Sequence, residues 1–135
     1  MSAVVFLETS ALLRALFGEL GGEEVRSKLA AAERILASRL LRVEAERALL
    51  RAVIEKPALE ASLPGLEREL RAVWPHVDML EMTREICDLA GRIAPSSRLR
   101  TLDAIHLATF RRVQQLEPRA TMLTCDQRLQ EALDA

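Results

Sequence analysis

Apolar residues in this chain fall into two rhythms, short unbroken runs and stripes spaced three and four apart, and the two alternate from end to end. Ala3 to Leu7 is a continuous apolar run rich in valine, the pattern of a strand buried on both faces of a parallel sheet. Behind it Leu12, Leu13, Leu16 and Phe17 recur at helical spacing, with Thr9 or Ser10 as the expected cap and Gly18 and Gly21-Gly22 as the stop. A second helix is expected over Glu23 to Ala32 and a short strand over Ile35 to Ala37. Ser38 stands where a cap would start a long helix reaching Glu55, which Pro57 ends.

The second half repeats the alternation. Leucines between Ala58 and Val73 predict a helix with Pro64 near a joint, closed by Trp74-Pro75, and Val77 to Leu80 reads as a third strand. Met82 to Ile93 is expected to be helical, Pro95-Ser96-Ser97 a loop, and Thr101 the cap of a helix through Val113. Thr121 to Thr124 is the fourth expected strand, and a last helix runs on from Asp126. Strands alternating with helices predict an α/β fold with parallel pairing, right-handed crossovers and helices on both faces. Ligands of such sheets gather at the carboxyl ends of the strands, which points to Glu8 and Asp126, each just after a strand.

Size and composition narrow the class. The 135 residues suit one domain over 1–135, and a chain that is 50% hydrophobic and 29% charged can bury a core under a solvated surface. A net charge of -1 argues against coating by nucleic acid through bulk electrostatics alone, though not against a local basic patch. Only Lys28 and Lys56 are lysines, so phosphate contacts would fall to arginine, whose planar fork suits them. Cys87 and Cys125 form no Cys-x-x-Cys pair and no disulfide scaffold, which makes a reducing cytoplasm the expected setting. No signal-peptide core precedes Glu8, and no apolar run approaches the roughly 20 residues that cross a bilayer.

Most of the twenty acidic residues must be solvated surface, but four stand out. Glu8 and Asp126 follow buried strands, where a carboxylate needs a cation or several donors, unless both are plain helix caps. Asp103 opens a helix lined by Leu102, Ile105, Leu107, Ala108 and Phe110, where the helix dipole alone would favour it. Glu44 shares its face with Leu40, Leu41 and Ala48, yet Glu46 lies beside Val43, Leu49 and Leu50, and periodicity does not separate the two. His106 is the tempting base on the Asp103 helix, although a histidine among apolar residues is more often a hydrogen-bonded packing residue, and His76 reads as loop.

Four ordered blocks resemble the acidic motifs of PIN domains: Leu-Glu-Thr-Ser-Ala-Leu at 7–12, Arg-Val-Glu at 42–44, Leu-Asp-Ala-Ile-His-Leu-Ala-Thr at 102–109 and Thr-Cys-Asp-Gln-Arg-Leu at 124–129. They are similar in particular to VapC-type toxins. The resemblance implies a three-layer α/β/α sandwich around a four- or five-stranded parallel sheet and a ribonuclease acting as the toxin of a toxin–antitoxin pair. It maps the site onto Glu8, Glu44, Asp103 and Asp126, deciding for Glu44 over Glu46, with Ser10 and Thr124 as supporting hydroxyls. It also implies a homodimer and an antitoxin segment over the acidic groove.

Carboxylates forced together repel unless divalent ions neutralise them, and hard oxygen ligands select Mg2+ or Mn2+, so metal-dependent RNA hydrolysis is the expected chemistry. Arg14, Arg42, Arg98 and Arg100 lie near the acidic blocks and are candidate RNA contacts. Glu8 departs from the family's usual aspartate by one methylene, which opens a second reading: a PIN-like fold that binds RNA or protein without cleaving. A phosphoacceptor domain would need an acidic pair at strand one and a late-strand lysine. A haloacid-dehalogenase-like phosphatase would need a second aspartate two residues after the first. The chain offers neither.

Overall fold

A computed structural model describes residues 3–135. Strand β1 (Ala3–Leu7) leads into α1 (Thr9–Phe17) and α2 (Gly22–Ala31), and β2 (Ala32–Ser38) into α3 (Leu40–Glu55). A 3-10 segment over Pro57–Ser62 precedes α4 (Leu63–Val73), and another over Trp74–His76 precedes β3 (Val77–Leu80). Helices α5 (Arg84–Ala90) and α6 (Thr101–Leu116), strand β4 (Thr121–Leu123) and α7 (Gln127–Asp134) complete the chain. The four strands form one sheet in the order β3-β2-β1-β4, and every pair is parallel.

The alternation of side chains along the central strands divides the core between two faces, because successive residues of a strand point to opposite sides. Leu7 and Ala37 join Leu12, Leu16, Leu41, Leu49 and Leu70 beneath α1, α3 and α4. Val4, Phe6 and Leu36 join Leu107, Phe110, Val113 and Leu129 beneath α6 and α7. The result is a three-layer α/β/α sandwich. Phe6 and Phe110 meet with ring centroids 5.5 Å apart and planes tilted by 54°, a tilted packing that such rings favour. Burial of each large apolar side chain stabilises the fold by about 1.5–3 kcal/mol, so the two clusters hold the sheet between its helix layers.

Local differences from the sequence expectation have local causes. Helix α1 is capped by Glu8, not by Thr9 or Ser10: the glutamate is in extended backbone and its side chain accepts from Ser10 N. Strand β2 starts at Ala32 because its register with β1 begins there, across a bulge between Ala3 and Val4. Ser38 ends that strand and accepts from Leu40 N at 3.2 Å, one position ahead of the Arg39 cap. Helix α5 is shorter than expected, since the Thr83 hydroxyl caps it by accepting from Ile86 N. Helix α6 runs on to Leu116 and is preceded by Arg100, whose backbone N–H donates to Asp103.

Two glycines shape the turn from α1 to α2. Gly18 closes α1 in the left-handed region at φ 65°, with its N–H on the carbonyl of Ala15. A Cβ on Gly22 would stand 2.5 Å from the backbone oxygen of Arg14, so the start of α2 can approach α1 only as glycine.

Candidate active site at the carboxyl edge of the sheet

Parallel pairing sends the carboxyl ends of all four strands to one edge, and the four singled-out acids arrive there on four different elements. Glu8 directly follows β1 and is 5% exposed. Its Oε1 accepts from the hydroxyls of Ser10 and Thr124, the latter at 2.6 Å, and its Oε2 accepts from Ser10 N at 3.1 Å. Both oxygens of this buried carboxylate are therefore satisfied by donors of the protein itself.

Asp126 is reached through the same hydroxyl. Thr124 Oγ1 accepts from Asp126 N at 3.0 Å, while Asp126 Oδ1 caps α7 by accepting from Arg128 N at 2.8 Å and Leu129 N at 3.3 Å. Ser10 Oγ accepts from Cys125 N at 2.9 Å, so the loop after β4 is bound at two points to the loop after β1.

Glu44, in the second turn of α3, is half-buried and bonded from two sides. Thr9 Oγ1 donates to its Oε1 at 2.7 Å, and Nε2 of His106 bonds to the same oxygen. Burial by itself would raise the pKa of this carboxyl. The hydrogen bond from His106 and the charge it bears when protonated, together with the Thr9 hydroxyl and the charge of Arg100, outweigh burial and hold it below the ordinary glutamate value. Glu46, the rival on the same helix, sits on the exposed side and pairs with Arg42 at 2.8 Å. Asp103 is 8% exposed, one turn ahead of His106, and its Oδ2 lies 3.4 Å from Arg100 N and 3.6 Å from Arg100 Nε.

Glu44 Oε2, Asp103 Oδ1 and Asp126 Oδ2 accept no hydrogen bond among the described residues. The edge thus presents carboxylate oxygens from α3, α6 and the start of α7 beside the fully bonded Glu8. The sequence matches the PIN domain over residues 5–133.

The chain belongs to the PIN-domain family.

Ribonuclease VapC46 of Mycobacterium tuberculosis is 34% identical over 111 residues, 82% of this chain and 77% of that protein. In fold, the PIN domain described here is similar to PAE2754 from Pyrobaculum aerophilum, at a TM-score of 0.69 and 19% identity over 98% of this chain and 87% of that one. A toxin–antitoxin complex from Klebsiella pneumoniae gives a TM-score of 0.60 at 21% identity, covering 93% of this chain and 87% of that one.

The donor set of this PIN domain is of the kind a hard divalent cation takes, carboxylate oxygen throughout with neither thiolate nor imidazole needed. Among the described residues, however, no three His, Cys, Asp or Glu side chains form a group that could hold an ion as they stand. Glu8 in addition has both its oxygens engaged by Ser10 and Thr124.

The candidate cations lie on separate elements, Arg14 in the last turn of α1 and Arg42 in the first turn of α3. Arg14 is half-buried and donates to the carbonyl of Leu20 at 3.0 Å. Arg42 lies 5.8 Å over the ring of Trp74, and Arg98 and Arg100 are exposed. Cys87 and Cys125 are free thiols, and burial raises the pKa of the latter despite Arg14 nearby. No described helix is long and apolar enough to cross a membrane. Thr9, expected from the sequence as a helix cap, and His106, weighed there as a base against a packing role, are both fixed on Glu44, a contact the sequence did not reveal. The available signal was His106 one turn beyond Asp103 on the same inward face of α6.

Proposed function

We propose that this PIN domain is a divalent-metal-dependent ribonuclease that hydrolyses RNA phosphodiester bonds as the toxin of a toxin–antitoxin pair. One observation supports it above the others: Glu8, Glu44, Asp103 and Asp126 come from four elements to one strand edge, where three of them keep an unbonded carboxylate oxygen. The relatedness to a VapC ribonuclease and the fold shared with a toxin–antitoxin complex agree with it.

Glu44, Asp103 and Asp126 would have to draw closer together to hold Mg2+ or Mn2+ through those oxygens, with Glu8 adding its charge and, on release from a hydroxyl, a fourth ligand. The ion supplies positive charge that eases deprotonation of a water and offsets the charge gathering on the phosphate. Ser10 and Thr124 fix Glu8 and the approach of Asp126, and Thr9 fixes Glu44. Arg14, Arg42, Arg98 and Arg100 would hold the RNA backbone. Val43, Leu50 and Ile54 expose an apolar stripe on α3, which suits a homodimer or antitoxin contact in the cytoplasm.

The engagement of both Glu8 oxygens favours one competing reading, a PIN fold that binds RNA or protein without cleaving. Metal linkage separates the two. Mn2+ at about a hundred times its Kd stabilises a one-site protein by about 2.7 kcal/mol, so the melting temperature should rise with Mn2+ in the wild type and little in Asp103→Asn. RNA cleavage should vanish with chelator and with Asp103→Asn. A wild type that neither shifts with Mn2+ nor cleaves RNA would leave the binding module as the function.

A further inference from the structure

His106 is the most buried charged-type side chain near the edge, 1% exposed, and its two ring nitrogens have opposite surroundings. Nε2 bonds to Glu44 Oε1 and lies 3.5 Å from Thr9 Oγ1, whereas Nδ1 is buried with no hydrogen-bond partner. An ionised carboxylate only accepts, so the ring hydrogen belongs on Nε2. In the neutral ring Nδ1 then keeps a bare lone pair, and leaving that unpaired is a lesser penalty than a buried N–H aimed at nothing.

Thr9, itself buried, donates its hydroxyl hydrogen to the same Oε1 at 2.7 Å. Two donors, one from the start of α1 and one from the middle of α6, thus converge on one oxygen of a side chain from α3. A glutamate on a helix surface samples many rotamers. Here Oε1 is held from two elements, and Oε2 is the oxygen left for a ligand.

We propose that His106 and Thr9 are positioning residues that clamp Glu44 by Oε1 and present Oε2 to the divalent ion, an inference that rests on the metal reading above. A packing role and a positioning role differ in what replaces them. Methionine fills the volume of the imidazole without a donor, whereas glutamine carries an N–H close to where Nε2 stands. Valine keeps the shape of Thr9 without its hydroxyl, and serine keeps the hydroxyl.

The test uses Mn2+ alone, titrated calorimetrically into the full chain. Partners of this type typically change metal affinity tenfold to a hundredfold, so His106→Met and Thr9→Val should each weaken Mn2+ by about that factor, while His106→Gln and Thr9→Ser stay within about threefold of wild type. A second readout needs no metal: the imidazole 1H–15N spectrum of the unliganded protein should show His106 as the Nε2–H tautomer with an exchange-protected proton. Equal Mn2+ affinity in all four variants, or an Nδ1–H tautomer, would overturn the clamp. Absence of Mn2+ binding by the wild type would overturn the metal reading instead, and the imidazole spectrum would then decide the clamp by itself. Because Thr9→Val and His106→Met act from different helices, a folding failure in one leaves the other to decide.

Discussion

Thr124 donates its hydroxyl hydrogen to Glu8 Oε1 at 2.6 Å, joining residues 116 positions apart across the β1–β4 edge. The same hydroxyl accepts from Asp126 N at 3.0 Å, so one oxygen serves a carboxylate of the first acidic block and the backbone of the last. Glu8 N donates to the carbonyl of Leu123 at 3.1 Å beside it. The loops after β1 and β4 are therefore one hydrogen-bonded unit, and the site depends on their register.

Thr124→Val tests that unit. It keeps the shape but leaves a buried glutamate oxygen with one donor fewer and Asp126 N without its acceptor. Leaving buried polar groups unpaired costs about 1–3 kcal/mol, so urea unfolding should show a lower midpoint at unchanged slope. Cleavage should fall with it. A variant as stable as wild type would show that solvent replaces Thr124 freely.

The parallel sheet was readable because Ala3 to Leu7 is an unbroken apolar run ended by Glu8, and because Val77, Met79 and Leu80 form a short apolar stretch, broken only by Asp78, just after Trp74-Pro75; such short stretches suit strands better than helices. Strand β2 was only half readable: Ala32, Glu33 and Arg34 have no strand-like pattern, and they extend because β1 offers a partner there, a tertiary cause. The acids were legible as positions after strands. What engages them was not, since hydrogen bonds such as Thr9 to Glu44 and Thr124 to Glu8 join residues far apart in sequence, and no periodicity records them. Glu46 shows the limit well. It has apolar neighbours in sequence like Glu44, but one is exposed beside Arg42 and the other faces Thr9 and His106.

Acid should release the contribution of Glu44. Its pKa in the folded protein lies below the ordinary 4.5, burial opposing and His106, Thr9 and Arg100 together outweighing it. A depressed folded value means that the ionised carboxylate stabilises the fold above the unfolded pKa and that this is lost as pH falls through the folded value. Wild type should accordingly exceed Glu44→Gln in stability near neutral pH, and the gap should narrow below about pH 4.5. Urea unfolding of both proteins across that range measures it, and a constant gap would contradict the assignment.

Arg100 is exposed beside Asp103, with its Nε 3.6 Å from Oδ2. As a phosphate contact it should add about one unit to the dependence of log affinity for RNA on log salt concentration, somewhat less for single strands. Arg100→Gln should therefore weaken RNA binding and flatten that slope. Arg112→Gln, further along the same helix and paired with Glu85, should leave it unchanged. Equal slopes in both variants would return Arg100 to the solvated surface.

The glutamate that stands where the family usually has aspartate can be tested by length and by charge separately. Its extra methylene lets Oε2 fold back on Ser10 N while Oε1 reaches both Ser10 Oγ and Thr124 Oγ1. Glu8→Asp shortens the arm, and one carboxylate can then no longer cap α1 and bridge to the β4 loop together. Loss of one such bond costs about 1 kcal/mol, and a misplacement of about 1 Å at a reacting centre can lower rate on the order of a hundredfold, so both stability and cleavage should drop. Glu8→Gln keeps the length and removes the charge. Its amide nitrogen fits at the Oε1 position, since each hydroxyl there can accept, and its oxygen can keep the bond from Ser10 N. Folding should thus survive in Glu8→Gln, while cleavage falls by orders of magnitude if the negative charge at this position serves the metal site. Full activity in Glu8→Asp would show that the surrounding hydroxyls had not adapted to glutamate, and equal activity of wild type and Glu8→Gln would place Glu8 outside the chemistry, as the cap of α1 alone.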